Sequence, residues 1–284
     1  MPSYVVTGAA RGIGLEFVNQ LSADSENNVF AIVRKKATAT QLDALARNNI
    51  KVLEADVTDA KALKLAAAEV SKVTGNKLDY LINNAGKTNH PGFTLDQFPS
   101  PEALENDLLD VFKTNTIGVV HCTNAFLPLL KNGSAKRVIS ISSGLGDPDA
   151  TVAAQAVGEP SYSISKAALN MVVAKYAAQY KAEGFTFLSI SPGMVKTSML
   201  PSQSGSSSSF LFSLGLIMFE LASAGPEAVE ELKMLMEGAA TFAPHFKGPI
   251  TPEESVRMQL EVINRWTVEG TGAFVSQFGN KQWL

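Results

Sequence analysis

Tyr162 and Lys166 stand four residues apart in Tyr162-Ser163-Ile164-Ser165-Lys166, a stretch of helical composition. That spacing puts both side chains on one helical face. A nearby ammonium favours phenolate and so lowers a tyrosine from its ordinary value of about 10. A phenol tuned in this way can protonate a forming alkoxide. The pair alone fits a surface tyrosine and lysine equally well, so its company matters. Ile139-Ser140-Ile141-Ser142-Ser143-Gly144 ends an apolar run with a serine hydroxyl that can hold a substrate oxygen. Asn83-Asn84-Ala85-Gly86 ends another such run. Asn115 sits inside a long helical pattern, where asparagine is a mediocre former. A surface or self-capped side chain is the alternative there.

A second group of residues suits phosphate. Thr7-Gly8-Ala9-Ala10-Arg11-Gly12-Ile13-Gly14 joins the first apolar run to a helical pattern. Glycines allow positive φ and close backbone approach to a pyrophosphate. A helix N-terminus adds free N–H groups and partial positive charge. The spacing G-x-x-x-G-x-G departs from the commoner G-x-G-x-x-G. Twenty residues after Gly14, where an NAD site carries an acid for the ribose hydroxyl, the residue is Arg34, followed by Lys35 and Lys36. With Arg11 in the loop, these cations suit a ribose 2′-phosphate. The alternative is a solvated basic surface.

The elements that must hold these groups alternate. Strands are expected at 4–6, 29–33, 51–55, 78–82, 137–141, 186–190 and 272–275. Helices are expected at 13–22, 40–47, 61–74, 101–128 and 162–184. Nearly continuous apolar strands between helices predict an α/β fold. It is a doubly wound, Rossmann-type parallel sheet of about seven strands with helices on both faces. No linker or repeat interrupts the chain, so residues 1–284 read as one domain. Residues 198–249 form a long excursion with a serine-rich run and the apolar stretch from Phe210 to Phe219. They read as a substrate flap, with a permanently packed or dimer-interface helix as the alternative.

Composition narrows the partners. The chain has 284 residues, 45% of them hydrophobic and 18% charged, with a net charge of −3. That argues against nucleic acid or an anionic membrane. The Phe210–Phe219 stretch is too short to span a bilayer. Cys122 is the sole cysteine and reads as a core residue. His90, His121 and His245 are scattered, so no metal site is expected. No signal peptide is visible, and the expectation is a cytoplasmic protein.

In order along the chain, Thr7-Gly8-x-x-x-Gly12-x-Gly14, Asp56-Val57, Asn83-Asn84-Ala85-Gly86, Asn115, Ser143, Tyr162-x-x-x-Lys166 and Pro192-Gly193-x-Val195-x-Thr197 resemble the short-chain dehydrogenase/reductase family. Residues 270–283 resemble the ending of its single-domain carbonyl reductases of the C-factor and sniffer type. The resemblance implies an NADP(H)-dependent oxidoreductase that interconverts a ketone or aldehyde with an alcohol. Tyr162 would be the acid/base. Ser143 would polarise the substrate oxygen, rather than Ser142, because the family's serine is normally the second of such a pair. Lys166 would bind the nicotinamide ribose and lower the Tyr162 pKa. Asn115 would hold a water linking Lys166 to solvent. Asp56 would contact adenine with Val57 beside the ring, and Asn83, Ala85 and Gly86 would line the cofactor. Thr7, Gly8, Gly12, Ile13 and Gly14 would form the phosphate loop, with Arg11 and Arg34 on the 2′-phosphate. Pro192, Gly193, Val195 and Thr197 would fix the carboxamide. Relatives often pair through helices matching 101–128 and 162–184, which leaves a homodimer open.

Two departures bear on the substrate. Ser143 and Tyr162 are nineteen apart, more than is usual, so residues 144–160 are expected to form an enlarged loop. The flap is long and apolar, favouring a bulky apolar or aromatic substrate. Two rival readings remain. A cofactor-sensing scaffold would have lost Tyr162 or Lys166. An epimerase or dehydratase would show an additional acid, which Glu159 or Asp147 in the enlarged loop could supply.

Overall fold

A computed structural model describes residues 1–89, 93–196, 246 and 248–283. Along them run β1 (Ser3–Thr7), α1 (Gly12–Ser22), β2 (Asn28–Val33), α2 (Thr40–Asp43), β3 (Ile50–Glu54), α3 (Ala60–Thr74), β4 (Tyr80–Asn83) and α4 (Pro101–Phe112). There follow α5 (Gly118–Asn132), β5 (Arg137–Ile141), α6 (Pro148–Ala153), α7 (Pro160–Tyr180), β6 (Thr186–Ser191), α8 (Pro252–Arg265) and β7 (Phe274–Ser276). The strands form one parallel sheet in the order β3-β2-β1-β4-β5-β6-β7. Val5 pairs with Phe30 on one side and with Leu81 on the other.

Side chains alternate across this sheet and feed two cores. Val5, Leu81, Val138 and Phe187 pack with Leu63 and Val70 of α3, Phe126 of α5 and Leu169 of α7. Val6, Ile82, Ile139 and Leu188 pack with Phe17 and Val18 of α1 and with Val256 and Val262 of α8. Burying each such side chain is worth roughly 1.5–3 kcal/mol before entropy is charged against it. Both faces are covered, which is why the strands read as unbroken apolar runs. The chain winds outward in both directions from β1 and β4. A crevice therefore opens at their carboxyl ends. Thr7, Val57, Asn83, Ala85 and Val119 line it.

Several elements differ from expectation. The helix expected at 40–47 stops at Asp43, and Ala46 has a positive φ of 49°. The helix expected to end at Pro128 runs on to Asn132, because Phe126, Leu129 and Leu130 are held in the core. Its middle, Lys113–Ile117, is a π turn centred on Asn115. The enlarged loop is partly helical: Asp147 caps α6 by accepting from the Ala150 amide at 2.9 Å. Of the expected flap, residues 198–245 and 247 lie outside the described residues, as do Thr197, His90 and His245.

Candidate active site

The loop between β1 and α1 is built to meet an anion. Gly8 and Gly12 take φ of 66° and 56°, the left-handed region that an L side chain resists. Arg11 is the N-cap of α1 but makes no side-chain cap, and the first turn holds no acid. The leading N–H groups of the helix are thus left for a ligand. A Cβ on Gly8 would lie 2.8 Å from the Ala85 Cα. One on Gly14 would overlap the Gly8 carbonyl and the Asn84 amide.

The second strand of the crevice braces this loop. Thr7 Oγ1 accepts from the Asn84 and Ala85 amides at 3.0 and 3.1 Å. Asn84 Nδ2 donates to the Thr7 and Gly8 carbonyls at 2.9 and 3.3 Å. Sequence reasoning quoted Asn84 without giving it a role. Its neighbour Asn83 turns its amide to Thr123 Oγ1 at 3.3 Å. Gly14→Ala is expected to cost roughly 1–3 kcal/mol of stability, the usual overpacking penalty, and to weaken dinucleotide binding. Thermal melting and a fluorescence titration of the cofactor check this. Unchanged values in both would show that the loop tolerates the methyl.

At the adenosine end, Arg11 and Arg34 are both exposed. The Ala9 amide donates to the Ile32 carbonyl at 3.2 Å, which fastens the glycine loop to β2 just before Arg34. Asp56 accepts from the Thr58 amide and hydroxyl, both at 2.8 Å, and Val57 is buried against Gly118. Loop, arginines and crevice fit a dinucleotide with its pyrophosphate at α1.

The chemistry-bearing residues gather at the same edge. Tyr162 and Lys166 lie on the first turns of α7. The Ser143 side chain lies close enough to the Tyr162 phenol to oppose the rise of its pKa. Ser143 also accepts from the Leu145 amide at 3.2 Å. Ser142 instead donates to Asn170 Oδ1 at 2.7 Å and is buried. The two serines thus differ in their contacts, Ser143 being the one the resemblance selects.

Lys166 is 3% exposed, and burial lowers it from 10.5 to about 8. Its Nζ donates to the Ile141 carbonyl at 2.7 Å and lies 5.4 Å from the Tyr162 ring centre. One expectation fails here. Tyr162 is pushed above its ordinary value rather than below it. Burial is the main cause, the charge of Glu159 adds to it, and the Ser143 side chain opposes it. The ammonium is committed to a backbone carbonyl instead of the phenol oxygen.

Asn115 is fully buried in the π turn. Its Nδ2 donates to the Lys87 carbonyl and to Ser165 Oγ, both at 2.9 Å. Its Oδ1 accepts from the Lys87 amide at 2.9 Å. A Cβ at Gly86 would stand 3.4 Å from that oxygen and 3.5 Å from Lys166 Nζ. Gly86 therefore keeps the two groups facing one another without a side chain between them.

Beyond β6, the Pro192 carbonyl accepts from Ser255 Oγ at 2.6 Å. Gly193 has φ of 77° and packs against Gln277. Val195 bridges to Ile250. Every expected site residue except Thr197 falls within the described residues. Cys122 is buried in the core, where burial pushes its thiol up. Among the described residues, no helix is long and apolar enough to cross a membrane.

A glycine-rich phosphate loop, a doubly wound sheet and a Ser–Tyr–Lys cluster at its carboxyl edge define a nucleotide-dependent oxidoreductase of the short-chain class. The short chain dehydrogenase family model matches residues 3–206. The chain is 44% identical over 289 residues to short-chain dehydrogenase/reductase AacuF of Aspergillus aculeatus, with all of both chains covered. It is 39% identical over 296 residues to short chain dehydrogenase virK of Hypocrea virens, again over all of both. Among solved structures, the NADPH-bound carbonyl reductase from chicken fatty liver matches with a TM-score of 0.74 at 30% identity, covering 99% of this chain and 98% of that one. The carbonyl reductase Sniffer of D. melanogaster matches with the same TM-score at 25% identity and the same coverage. The chain belongs to the short-chain dehydrogenase family.

Proposed function

We propose that this chain is an NADP(H)-dependent carbonyl reductase, running in either direction between a ketone or aldehyde and an alcohol. The observation that carries the reading is Tyr162 on the first turn of α7 with Lys166 Nζ 5.4 Å from its ring centre, at the sheet edge that also holds Ser143 and the glycine loop. The NADPH-bound carbonyl reductase from chicken fatty liver, similar over 99% of the chain, supports the same reading.

A nicotinamide held there would supply or accept the hydride. The protein's part is orientation and proton transfer. Ser143 Oγ donates to the substrate oxygen and holds it beside the phenol. Tyr162 gives its proton to that oxygen as the alkoxide forms, and takes it back in the reverse direction. Lys166 holds the ribose and stabilises the phenolate that results. Asn115 would hold a water that links Lys166 to solvent as a proton relay. The glycine loop and the α1 N-terminus take the pyrophosphate. Asp56 and Val57 would border adenine, and Pro192, Gly193 and Val195 the carboxamide. The apolar sequence from Phe210 to Phe219 supports a bulky apolar or aromatic substrate.

NADPH consumption, screened over aldehydes, aliphatic ketones, aromatic ketones and quinones, tests the activity. Cofactor choice has its own expected result. Arg11 and Arg34 favour NADPH over NADH by about tenfold or more in kcat/KM, equivalent to about 1.4 kcal/mol. Arg34→Asp lowers or reverses that preference. Equal efficiency with both cofactors in the unmodified protein would overturn the assignment.

A further inference from the structure

Glu159 bears two costs that the proton relay does not explain. It is 1% exposed, and neither carboxyl oxygen has a hydrogen-bond partner in the protein. Its backbone is left-handed at φ 56° and ψ 44°, a conformation that glycine would adopt more readily. Buried polar groups are nearly always paired, and strained residues cluster where ligands are clamped.

The usual structural role for such a residue is not filled. Glu159 is the N-cap of α7, where a carboxylate ordinarily accepts from the first-turn amides. It makes no such cap. Its backbone is fixed, since its carbonyl accepts from the Ser163 amide at 2.9 Å. The carboxyl is thus buried three residues before Tyr162 with no partner of its own. The neighbouring acids are engaged: Asp147 caps α6 and pairs with Lys281 at 3.3 Å, and Asp107 accepts from the Ser161 hydroxyl.

Tyr162, Ser163 and Lys166 share one face of α7, and Glu159 is the residue from which the helix starts. Ser163 Oγ is likewise buried without a partner. Two buried, unpartnered polar groups thus lie within three residues of Tyr162, one on each side of it in the chain. Burial raises the carboxyl to about 8, so near neutral pH it is protonated and can both donate and accept.

We propose that Glu159 is a specificity-determining residue whose carboxyl hydrogen-bonds a second oxygen of the substrate. The site then prefers carbonyl compounds carrying another carbonyl or a hydroxyl beside the reacting one. This rests on the carbonyl-reductase reading and adds a substrate class to it.

The probes are 1-phenylpropane-1,2-dione and propiophenone, which differ in the second carbonyl. Glu159→Leu should lower kcat/KM for the dione by about tenfold, the worth of one buried hydrogen bond, and that for propiophenone by less than about threefold. Glu159→Gln, which still donates and accepts, should retain the dione. The melting temperature of Glu159→Leu should equal or exceed the parent's, because an unpaired polar group has been removed. Equal losses on both ketones, no loss on either, or a lower melting temperature with selectivity intact would each overturn the proposal. If Glu159→Leu does not fold, Glu159→Ala is read in the same way. If the unmodified protein reduces neither ketone, the carbonyl-reductase reading fails. Glu159 is then judged by ligand-induced stabilisation, with and without NADP+. The dione should raise the melting temperature of the parent and not of Glu159→Leu, and equal shifts would overturn the proposal.

Discussion

Tyr162→Phe is expected to lower turnover with NADPH and a reducible ketone by at least about 100-fold, the usual worth of a positioned proton donor. The ring remains, so its packing and the 5.4 Å approach of Lys166 Nζ should survive. Only the hydroxyl close to Ser143 is lost. NADPH affinity should therefore change little, and the loss should appear in kcat. Lys166→Ala should behave differently. It removes the group held at the Ile141 carbonyl and the proposed ribose contact, so kcat and cofactor affinity should fall together. Stopped-flow hydride transfer and cofactor titration separate the two patterns. Retention of parental turnover by Tyr162→Phe, with chemistry rate-limiting, would remove tyrosine from the mechanism.

The contrast matters because the structure moves Tyr162 the opposite way from the sequence expectation. Spacing showed that Lys166 shares a helical face with Tyr162. It could not show that Nζ is held by a backbone carbonyl on β5, twenty-five residues earlier in the chain. Nor could it weigh burial against charge, since burial depends on what the whole fold lays over the helix. The proton donor in this arrangement starts as a firm phenol.

Where local chemistry decides, the sequence was a good guide. β5 begins and ends where its apolar run does, and the glycines of the phosphate loop carry the φ values that the motif demands. Where packing decides, it was not. Propensity stops a helix at Pro128, but three side chains buried in the core carry it four residues further. The π turn at Asn115 has no propensity signature and is visible only once the amide is seen gripping Lys87 and Ser165. α6 was readable and missed, because Asp147-Pro148 is an N-cap followed by proline at the first helical position. The packing of the C-terminal tail was not readable, although its strand and its resemblance were. Trp283 packs on Gly144 and stacks on Phe274 at 4.3 Å, contacts that span more than a hundred residues in one case and involve no local pattern in the other.

Glu159 should also be visible in the pH dependence of stability, with no substrate present. Its carboxyl is raised from an ordinary 4.5 to about 8 by burial. The folded state therefore keeps a proton that the unfolded chain loses between these values. Stability is unaffected below about pH 4.5, falls as pH rises through the window, and bears the whole cost above about 8. Glu159→Gln has no proton to lose. Its stability relative to the parent should rise by roughly 1.4 kcal/mol per pH unit within the window, as an upper bound before the site relaxes. The groups around the carboxyl do not imitate this slope. Tyr162 is held above its ordinary value, so it titrates above the window. Lys166 acts with the opposite sign: lowered from 10.5 to about 8, it lets stability recover as pH rises from about 8 toward 10.5. Urea unfolding of both proteins at several values from pH 5 to about 7.5, below the range where Lys166 discharges, isolates the glutamate. A difference that stays flat across that range would mean that Glu159 titrates like an exposed carboxyl. The unpaired, buried acid beside Tyr162 would then not exist in solution, and the substrate subsite built on it would fall as well.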